Sequence, residues 1–406
     1  MPLPPATAYR PTLVRHANAA LPKLWDKRWL PPPDLLEETL DRQAMQATGL
    51  CDFGDPWFRG PLRVLLPALR EEARLNAMGR LIAHGSLLKM LKERLRAQAW
   101  FTAHPDIRER PLPAPVVIVG PMRSGTTRLH RLLATDDRFA HLRLYEAMCP
   151  VPPRGRDTRA LQTAFGLKAI NWINPANAAV HPTGPHQADE ELGLLENSAW
   201  GAQIEAQRRV PGYARWCEAQ DATPAYRHMA DLLRLTGWRR GDNPATPWLL
   251  KTPQHMQDLP ALLAVFPDAR LIFTHRDPAS VVGSAASLAW HQMVVQSDEV
   301  DAHWVGAEWL HKTAHRIEKT LAVRAALPAA RQLDLTFDEM NRDWRGTIRR
   351  VYAFLGLDLE PALPAMETYL TRENRHAAHR YDLADFGLNA DAIRERFSSY
   401  SARFLA

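Results

Sequence analysis

The residues best suited to chemistry lie in the loop at residues 120–127, which reads GPMRSGTT. A glycine-bounded loop of this length, rich in hydroxyl residues and followed by an amphipathic helix, is typical of a phosphate cradle built from backbone N–H groups and a helix N-terminus. A nucleoside-triphosphate loop requires a lysine after its second glycine, whereas Thr126 and Thr127 follow Gly125 here. The cation within the loop is instead Arg123. The sequence therefore predicts an anion site that differs from that of a kinase.

Further polar residues follow two later apolar runs. Lys251 directly follows the run 248–250, and Arg276 comes two residues after the run 270–274. Ser284 lies eight residues beyond Arg276. If these runs are parallel strands, their carboxyl ends meet at one edge of the sheet, where the ligands of open α/β sheets bind. We therefore expect these side chains to line one crevice together with the loop.

The pattern after residue 115 indicates alternating strands and helices. Short apolar runs separated by helical patterns are typical of βα units on a parallel sheet. The predicted strands are 116–119, 248–250, 270–274 and 332–335, and two long predicted helices are 303–327 and 344–355, the second ended by Gly356. We therefore predict an α/β fold, a P-loop-type parallel sheet flanked by helices, over residues 111–406.

The first 110 residues carry no strand pattern. Prolines at 31–33 and at 111, 113 and 115 bracket a region in which leucines recur every three or four residues, as they do in amphipathic helices. We predict an α-helical N-terminal extension over residues 1–110 that packs against the sheet domain. A contribution to a lid or to an acceptor site is the alternative.

The composition of the 406 residues favours a globular protein with an anionic ligand. Hydrophobic residues make up 46% of the chain, which is enough for a substantial core, and the net charge of +6 suits a polyanion. The arginines are scattered, and the sequence contains no helix-turn-helix, zinc-finger or RNA-recognition motif. These features argue against nucleic acid as a partner.

The spacing of the cysteines and the length of the apolar stretches indicate the cellular compartment that we expect for the protein. Cys51, Cys149 and Cys217 are widely spaced and form no C-x-x-C pair, which argues against a disulfide framework and against a zinc site. The N-terminus lacks a signal-like apolar region, and no stretch reaches about eighteen apolar residues. We therefore expect a cytoplasmic protein without a transmembrane segment, and the oligomeric state stays open.

The two blocks of motifs together resemble sulfotransferases that use 3′-phosphoadenosine 5′-phosphosulfate (PAPS), in particular a bacterial branch with arginine in the loop, similar to tyrosylprotein sulfotransferases. The segment PMRSGTT resembles their 5′-phosphosulfate loop. The segments WLLKTPQH and FTHRDPASVVGS resemble their second-strand lysine and 3′-phosphate motif. The resemblance spans about residues 115–390. It implies an enzyme that transfers a sulfuryl group from PAPS to a hydroxyl of a small-molecule, lipid or carbohydrate acceptor, with PAP as product and no metal.

The resemblance also implies roles for individual residues. Arg123 and Lys251 would stabilise the charge on the transferred group and on the departing oxygen. Arg276 and Ser284 would hold the 3′-phosphate. The implied donor-binding residues are Gly120, Arg123, Ser124, Gly125, Thr126, Thr127, Arg276 and Ser284.

Several residues compete for the role of the base that takes the acceptor proton. Glu146 stands about twenty residues beyond the loop, where arginine-loop sulfotransferases carry a glutamate in this role, and such a base needs a modestly raised pKa. The other candidates are His181, His186, Glu190 and Glu191. The two histidines and the carboxylates that follow them match no zinc motif.

Two further regions bear on the nucleotide site. The family often has a tyrosine after the fourth strand, whereas this chain reads Thr336-Phe337-Asp338, so that hydroxyl contact is lost or supplied elsewhere. In the tail, a set of basic residues resembles a segment that closes over the nucleotide: Arg372, Arg375, His379 and Arg380.

Two other functions fit parts of the pattern. A P-loop kinase or other NTPase fits the length of the loop but lacks the expected lysine. A nucleotide-binding protein without turnover would bind PAP and transfer no sulfate. The presence of Arg123, Lys251 and Glu146 together favours the enzyme, because a non-catalytic binder has little need of all three.

Overall fold

The computed structural model describes residues 6–174, 183–372 and 381–405. Within these ranges, four strands form one parallel sheet in the order β2-β1-β3-β4. The strands are β1 Val116–Val119, β2 Leu249–Lys251, β3 Arg270–His275 and β4 Gln332–Thr336. All four lie within one residue of their predicted bounds, and the predicted α/β class is confirmed.

The register brings the carboxyl ends of β2, β1 and β3 to the same level. Ile118 of β1 pairs with Lys251 on one side and with Ile272 on the other. The next pair along β1 and β3 is Val119 with Phe273. Residues that follow these strands therefore start from one edge of the sheet, where open α/β sheets bind their ligands.

Both faces of the sheet are covered, which explains why its strands are continuous apolar runs. The residues of β1 are at most 3% exposed. Val117 and Val119 belong to a hydrophobic cluster that includes the N-terminal helices, whereas Val116 and Ile118 belong to a cluster on the opposite face. Parallel strands that are buried on both faces favour β-branched residues without polar alternation.

Helices fill the connections between the strands. Before β1 lie α1 Thr12–Asp26, α2 Glu37–Thr48, α3 Arg59–Glu71, α4 Ala77–Ala103 and α5 Asp106–Glu109. Between β1 and β2 lie α6 Thr126–Leu133, α7 Leu144–Met148, α8 Arg159–Ile173, α9 Leu192–Glu196, α10 Ala202–Gln207, α11 Pro211–Glu218 and α12 Thr223–Arg240. Between β2 and β3 lie α13 Gln254–Gln257 and α14 Leu259–Val265.

The remaining helices follow β3 and β4. Between these strands lie α15 Pro278–Gln296 and α16 Ala302–Arg324, and after β4 lie α17 Phe337–Arg342, α18 Trp344–Leu355, α19 Leu363–Arg372, α20 Ala390–Arg396 and α21 Ser398–Phe404. Short 3₁₀ turns occur at Ala6–Tyr9, Pro56–Phe58, Ala329–Arg331 and Ala384–Phe386. Helix α18 has the predicted bounds and ends at Gly356, whose φ of +67° is left-handed.

The helices before β1 pack against the sheet, as expected. Leu91 of α4 is fully buried in the cluster that contains Val117 and Leu250. Arg94 of the same helix donates to the Asn197 carbonyl at 3.1 Å, which joins α4 to the segment between β1 and β2. The domain boundary near residue 110 stays a prediction. No helix within the described ranges has both the length and the apolar character needed to cross a bilayer.

Candidate active site

The loop after β1 lies directly against the end of β3. A Cβ atom on Gly120 would stand 2.0 Å from Thr274 Oγ1, so only glycine allows this approach. The Ser124 hydroxyl donates to the Pro121 carbonyl at 2.7 Å and lies 2.7 Å from Thr274 Oγ1. These contacts hold the loop in shape beside the strand.

Two positive φ angles turn the loop into the N-terminus of α6. Gly125 has a φ of +87°, and Arg123 has a φ of +68°, which is uncommon for a residue with a side chain. The helix begins at Thr126, and the first backbone N–H groups of a helix have no partner within it. These groups and the helix dipole attract an anion. The loop therefore has the geometry of an anion cradle, and backbone strain of the kind seen at Arg123 clusters at functional sites.

The residues of the second motif block lie against this loop. Nη1 of Arg276 donates to the Arg123 carbonyl at 2.5 Å. Nε of Arg123 donates to the Ser284 hydroxyl at 3.1 Å, across 161 positions of sequence. Asp277 caps α15, the helix that carries Ser284, by accepting from the Ser280 N–H at 3.0 Å. The fold therefore brings Arg123, Arg276 and Ser284 into direct contact.

Positive charge is concentrated where the two arginines meet. Burial and the neighbouring charge of Arg276 lower the pKa of Arg123. The Arg276 guanidinium stacks over the Phe337 ring, 3.9 Å from the ring centroid. Phe337 lies in the segment where a tyrosine was expected, and its ring supports the arginine by a cation–π contact. Two neighbouring guanidinium groups in a partly desolvated site favour a bound anion.

Lys251 reaches the loop from the end of β2. Its Nζ atom lies 3.3 Å from Thr127 Oγ1, and its side chain is 1% exposed. The same ammonium group forms an ion pair with Glu190. A buried ammonium group needs a nearby anion, because desolvation disfavours its charged form. The structure therefore places Lys251 beside the cradle and Glu190 within hydrogen-bond reach of Lys251.

A short antiparallel contact positions Glu190 and Glu191. Arg143 pairs with Ala188, two and three residues before these glutamates. The two Glu191 carboxylate oxygens lie 3.2 and 3.0 Å from the Lys251 backbone nitrogen, which donates to them, and Glu191 is fully buried. Consecutive glutamates therefore hold the backbone and the ammonium group of the same lysine.

The environment of Glu146 differs from the one expected of a base. Both of its carboxylate oxygens accept hydrogen bonds from Arg240, one of them at 2.8 Å, and one also accepts from the Arg143 N–H at 2.9 Å. Burial acts to raise the pKa of Glu146, but hydrogen bonds and charge from Arg240 outweigh burial and lower it. A base was expected to have a raised pKa, but the pKa of Glu146 is lowered. The hydrogen bonds of its carboxylate to Arg240 instead join α7 to α12.

The remaining predicted site residues make no described contact with the loop at 120–127. His186 is exposed and packs edge-on against Tyr145, with ring centroids 5.5 Å apart. Arg372 ends α19 and is exposed. Four of the predicted residues lie outside the described residues: His181, Arg375, His379 and Arg380.

Tyr381 is a residue of this region that sequence reasoning missed. A Cβ atom on Gly283 would stand 2.4 Å from its ring, and its hydroxyl donates to the Ser280 carbonyl at 2.9 Å. Burial raises the pKa of Tyr381, and the nearby charges of Arg276 and Arg123 act against this rise. No motif marks a lone tyrosine in the tail, so the fold alone brings it to α15.

Comparison with family models and curated proteins gives one consistent result. Residues 115–361 match the model of the sulfotransferase family. Omega-hydroxy-beta-dihydromenaquinone-9 sulfotransferase Stf3, from Mycobacterium bovis and Mycobacterium tuberculosis, is 26% identical over 281 residues, which cover 66% of this chain and 70% of the relative. The segment that matches the family model contains both motif blocks.

Solved structures have the same fold. Sulfotransferase STF1 from Mycobacterium tuberculosis superposes with a TM-score of 0.80 at 30% identity, covering 91% of this chain and 100% of that chain. Sulfotransferase STF9 from Mycobacterium avium superposes with a TM-score of 0.81 at 24% identity, covering 91% of this chain and 97% of that one. The shared fold extends over the helices before β1 as well as over the sheet.

Proposed function

The chain belongs to the sulfotransferase family and transfers a sulfuryl group to a small-molecule or lipid acceptor; from that premise we propose that PAPS is the donor and that Glu190 is the base. Two contacts carry the proposal. Arg276 contacts Arg123 within the loop, and Lys251 contacts Thr127 at the end of the loop. Three cations from distant parts of the chain surround one anion cradle.

The residues present fit a nucleotide with two separate anionic groups. The backbone N–H groups of the loop and Arg123 suit the phosphosulfate, because planar guanidinium donors match its oxygens. Arg276 and Ser284 suit the 3′-phosphate. The Arg276 side chain contacts a carbonyl oxygen and an aromatic ring, and its positive charge is available to an anionic ligand.

PAPS, when bound, supplies an activated sulfuryl group. Glu190 takes the proton of the acceptor hydroxyl as the hydroxyl oxygen bonds to sulfur and the bond from sulfur to the bridging phosphate oxygen breaks. Lys251 stabilises the negative charge that develops on this departing oxygen, and the backbone N–H groups of the loop assist it. The ion pair between Lys251 and Glu190 keeps the two groups together before the substrates bind.

Glu191 has a positioning role in this mechanism. Its carboxylate is fully buried and accepts from the Lys251 N–H, so it is not available to an acceptor. Its Oε2 atom also lies 3.4 Å from His255 Nε2, and His255 Nδ1 lies 2.9 Å from the Tyr226 hydroxyl. This buried network fixes the backbone from which the Lys251 side chain extends.

Calorimetric titration with PAP tests the donor assignment. We expect micromolar binding that Arg276→Ala weakens about tenfold to a hundredfold, because a hydrogen bond to a charged group contributes about 1.5–3 kcal/mol. Arg342→Ala removes an exposed arginine of α17 and serves as the matched control, with unchanged affinity. Binding of ATP with magnesium, without binding of PAP, would favour the NTPase instead.

Transfer of labelled sulfate from PAPS tests the enzymatic step. The wild-type chain should label a hydroxyl compound in a cell extract, and Glu190→Gln should reduce that labelling while PAP still binds. Binding of PAP without labelling of any extract fraction would favour a nucleotide-binding protein without turnover.

A further inference from the structure

A cavity of about 130 Å³ lies beside Glu190. It is far larger than the ~10–15 Å³ that a single water molecule needs. Helices α4, α7 and α9 form its walls, and the side chains that matter for its chemistry are Ser86, Lys89, Glu93, Asp189, Glu190 and Glu196. Because Glu190 lines the cavity and pairs with Lys251, the cavity borders the proposed reaction centre.

Two carboxyl groups in this cavity have no hydrogen-bonding partner within the described part of the chain. Glu93 is 7% exposed and Glu196 is partly buried, and neither has a hydrogen bond or a cation within 4.0 Å among the described residues. Lys89 donates to the Met148 carbonyl. Burial raises the pKa of Glu93 and of Glu196 to about 7 in each case, and the charge of Lys89 opposes this rise.

Glu93 is more than nine-tenths buried yet has no hydrogen-bonding partner among the described residues, which argues that this cavity is built for a ligand. A wall that served packing alone would be apolar, since each buried polar group without a partner loses its hydration and gains nothing in return. Glu93 and Glu196 face a space that a ligand with hydrogen-bond donors fills. The same ligand has Lys89 as a donor to its oxygens.

The balance of charge in the cavity selects the class of ligand. Four acidic residues line the cavity, Glu93, Asp189, Glu190 and Glu196, and their charge is offset in part by Lys89 and by the ion pair of Glu190 with Lys251. The cavity therefore disfavours an anionic ligand, and it offers carboxyl oxygens that accept hydrogen bonds and an ammonium group that donates them. It favours neutral groups that both donate and accept hydrogen bonds, and hydroxyl groups do both.

We propose that this cavity is the acceptor site and that the reacting hydroxyl belongs to a hydroxyl-rich frame, such as a sugar or another polyol. The inference rests on the proposed function, because it uses Glu190 as the base. The N-terminal helix α4, through Lys89 and Glu93, then determines which acceptor is used. The frame belongs either to a free sugar or to the head group of a glycolipid.

Binding of small probes to the PAP-saturated full chain tests the proposal. The probes are glucose, myo-inositol, octyl β-D-glucopyranoside below its micelle concentration, and farnesol as an apolar alcohol. We expect the polyols to bind and farnesol not to bind. Tighter binding of octyl glucoside than of glucose would assign a glycolipid head group, and equal binding a free sugar. Binding of farnesol alone, or of no probe, overturns the proposal. Since PAP is titrated first, failure of the donor assignment is seen separately.

Substitution of Glu93 distinguishes a ligand-binding role from a structural one. Glu93→Leu should weaken polyol binding at least tenfold without lowering the melting temperature, because none of the described residues hydrogen-bonds or ion-pairs with this carboxyl group. Glu38→Leu, at an exposed glutamate of α2, is the matched control and should leave polyol binding unchanged. A lower melting temperature with unchanged polyol binding would make Glu93 structural and contradict the proposal.

Discussion

The guanidinium of Arg276 donates a hydrogen bond to the main-chain carbonyl of Arg123 at 2.5 Å, although 153 positions separate the two residues in the sequence. This bond joins the end of β3 to the loop that follows β1. The Phe337 ring lies under the same guanidinium, 3.9 Å from it, and fixes its orientation. The two proposed anion-binding arginines therefore form one preorganised unit, which reduces the entropy lost when a nucleotide binds.

The ring under Arg276 gives the first prediction. Phe337→Leu should weaken PAP binding about fivefold, because it removes a cation–π contact that contributes ~1 kcal/mol, and Phe337→Tyr should retain the wild-type affinity. Calorimetry with PAP measures both. Phe354→Leu is the control, since Phe354 carries a similar contact with Arg270, at 4.7 Å, on a different part of β3. Equal losses in the two leucine variants would show that the ring has no specific role at the nucleotide.

The loop before α6 gives the second prediction. Gly120→Ala should weaken PAP binding at least tenfold and lower the melting temperature, because its Cβ would stand 2.0 Å from Thr274 Oγ1. Crowding of this kind costs ~1–3 kcal/mol. Adding Thr274→Ala should restore binding in part, since the Thr274 carbonyl remains 3.0 Å away. Gly155→Ala, with no atom within 4 Å of the new Cβ, is the neutral control. Normal PAP binding by Gly120→Ala would contradict the close approach.

The strands and the α18 helix could be predicted because their signals are local. Four β-branched residues in a row at β1 indicate burial on both faces, and both hydrophobic clusters meet there. Helix α18 ends where Gly356 takes a left-handed φ, which the sequence marks directly. The clustering of Arg123 with Arg276 was also predictable, because parallel strands bring their carboxyl ends to one edge.

The environment of the acidic residues could not be predicted because it depends on partners far away in the sequence. Glu146 meets Arg240, 94 positions later, at the end of α12. Glu190 meets Lys251 across 61 positions, and the pairing of Arg143 with Ala188 leads to it. No pattern around either glutamate distinguishes a carboxylate held by an arginine from one that faces a cavity.

The two glutamates give the third prediction. Glu190→Gln should lower sulfate transfer at least a hundredfold while PAP affinity stays within about threefold, because general base catalysis contributes about 10²–10⁴ in rate. Glu146→Gln should instead destabilise the fold by about 2 kcal/mol, because it leaves the partly buried Arg240 without its carboxylate. Urea unfolding and labelled-sulfate transfer per folded molecule measure the two effects.

The comparison between the same two variants can also reverse the assignment. If Glu146→Gln folds normally and loses transfer, whereas Glu190→Gln retains it, then Glu146 is the base and its pairing with Arg240 must break when the acceptor binds. Glu109→Gln, at a glutamate of the short helix α5, controls for the change of charge alone.

The carboxyl groups of the acceptor cavity give the fourth prediction, a fall in stability as the pH rises. The pKa of Glu93 and of Glu196 is raised to about 7 in the folded chain, against about 4.3 when unfolded. Between these values the folded chain holds more protons at these two groups than the unfolded chain, so their contribution to stability is fully present below pH 4.3 and is lost as the pH rises through 7. The slope is at most ~1.4 kcal/mol per pH unit for each group.

Urea unfolding at pH 5, 6, 7 and 8 measures this slope in the wild type and in the double variant Glu93→Leu with Glu196→Leu. Asp258, whose pKa burial raises to about 6, contributes in the same range but is present in both chains, so the difference between them isolates the cavity. We expect the double variant to lose less stability between pH 5 and 8 and to be the more stable chain at pH 8. Parallel curves would show that the two glutamates titrate alike in the folded and unfolded chains, which would contradict the desolvation that the cavity wall is argued to impose on them.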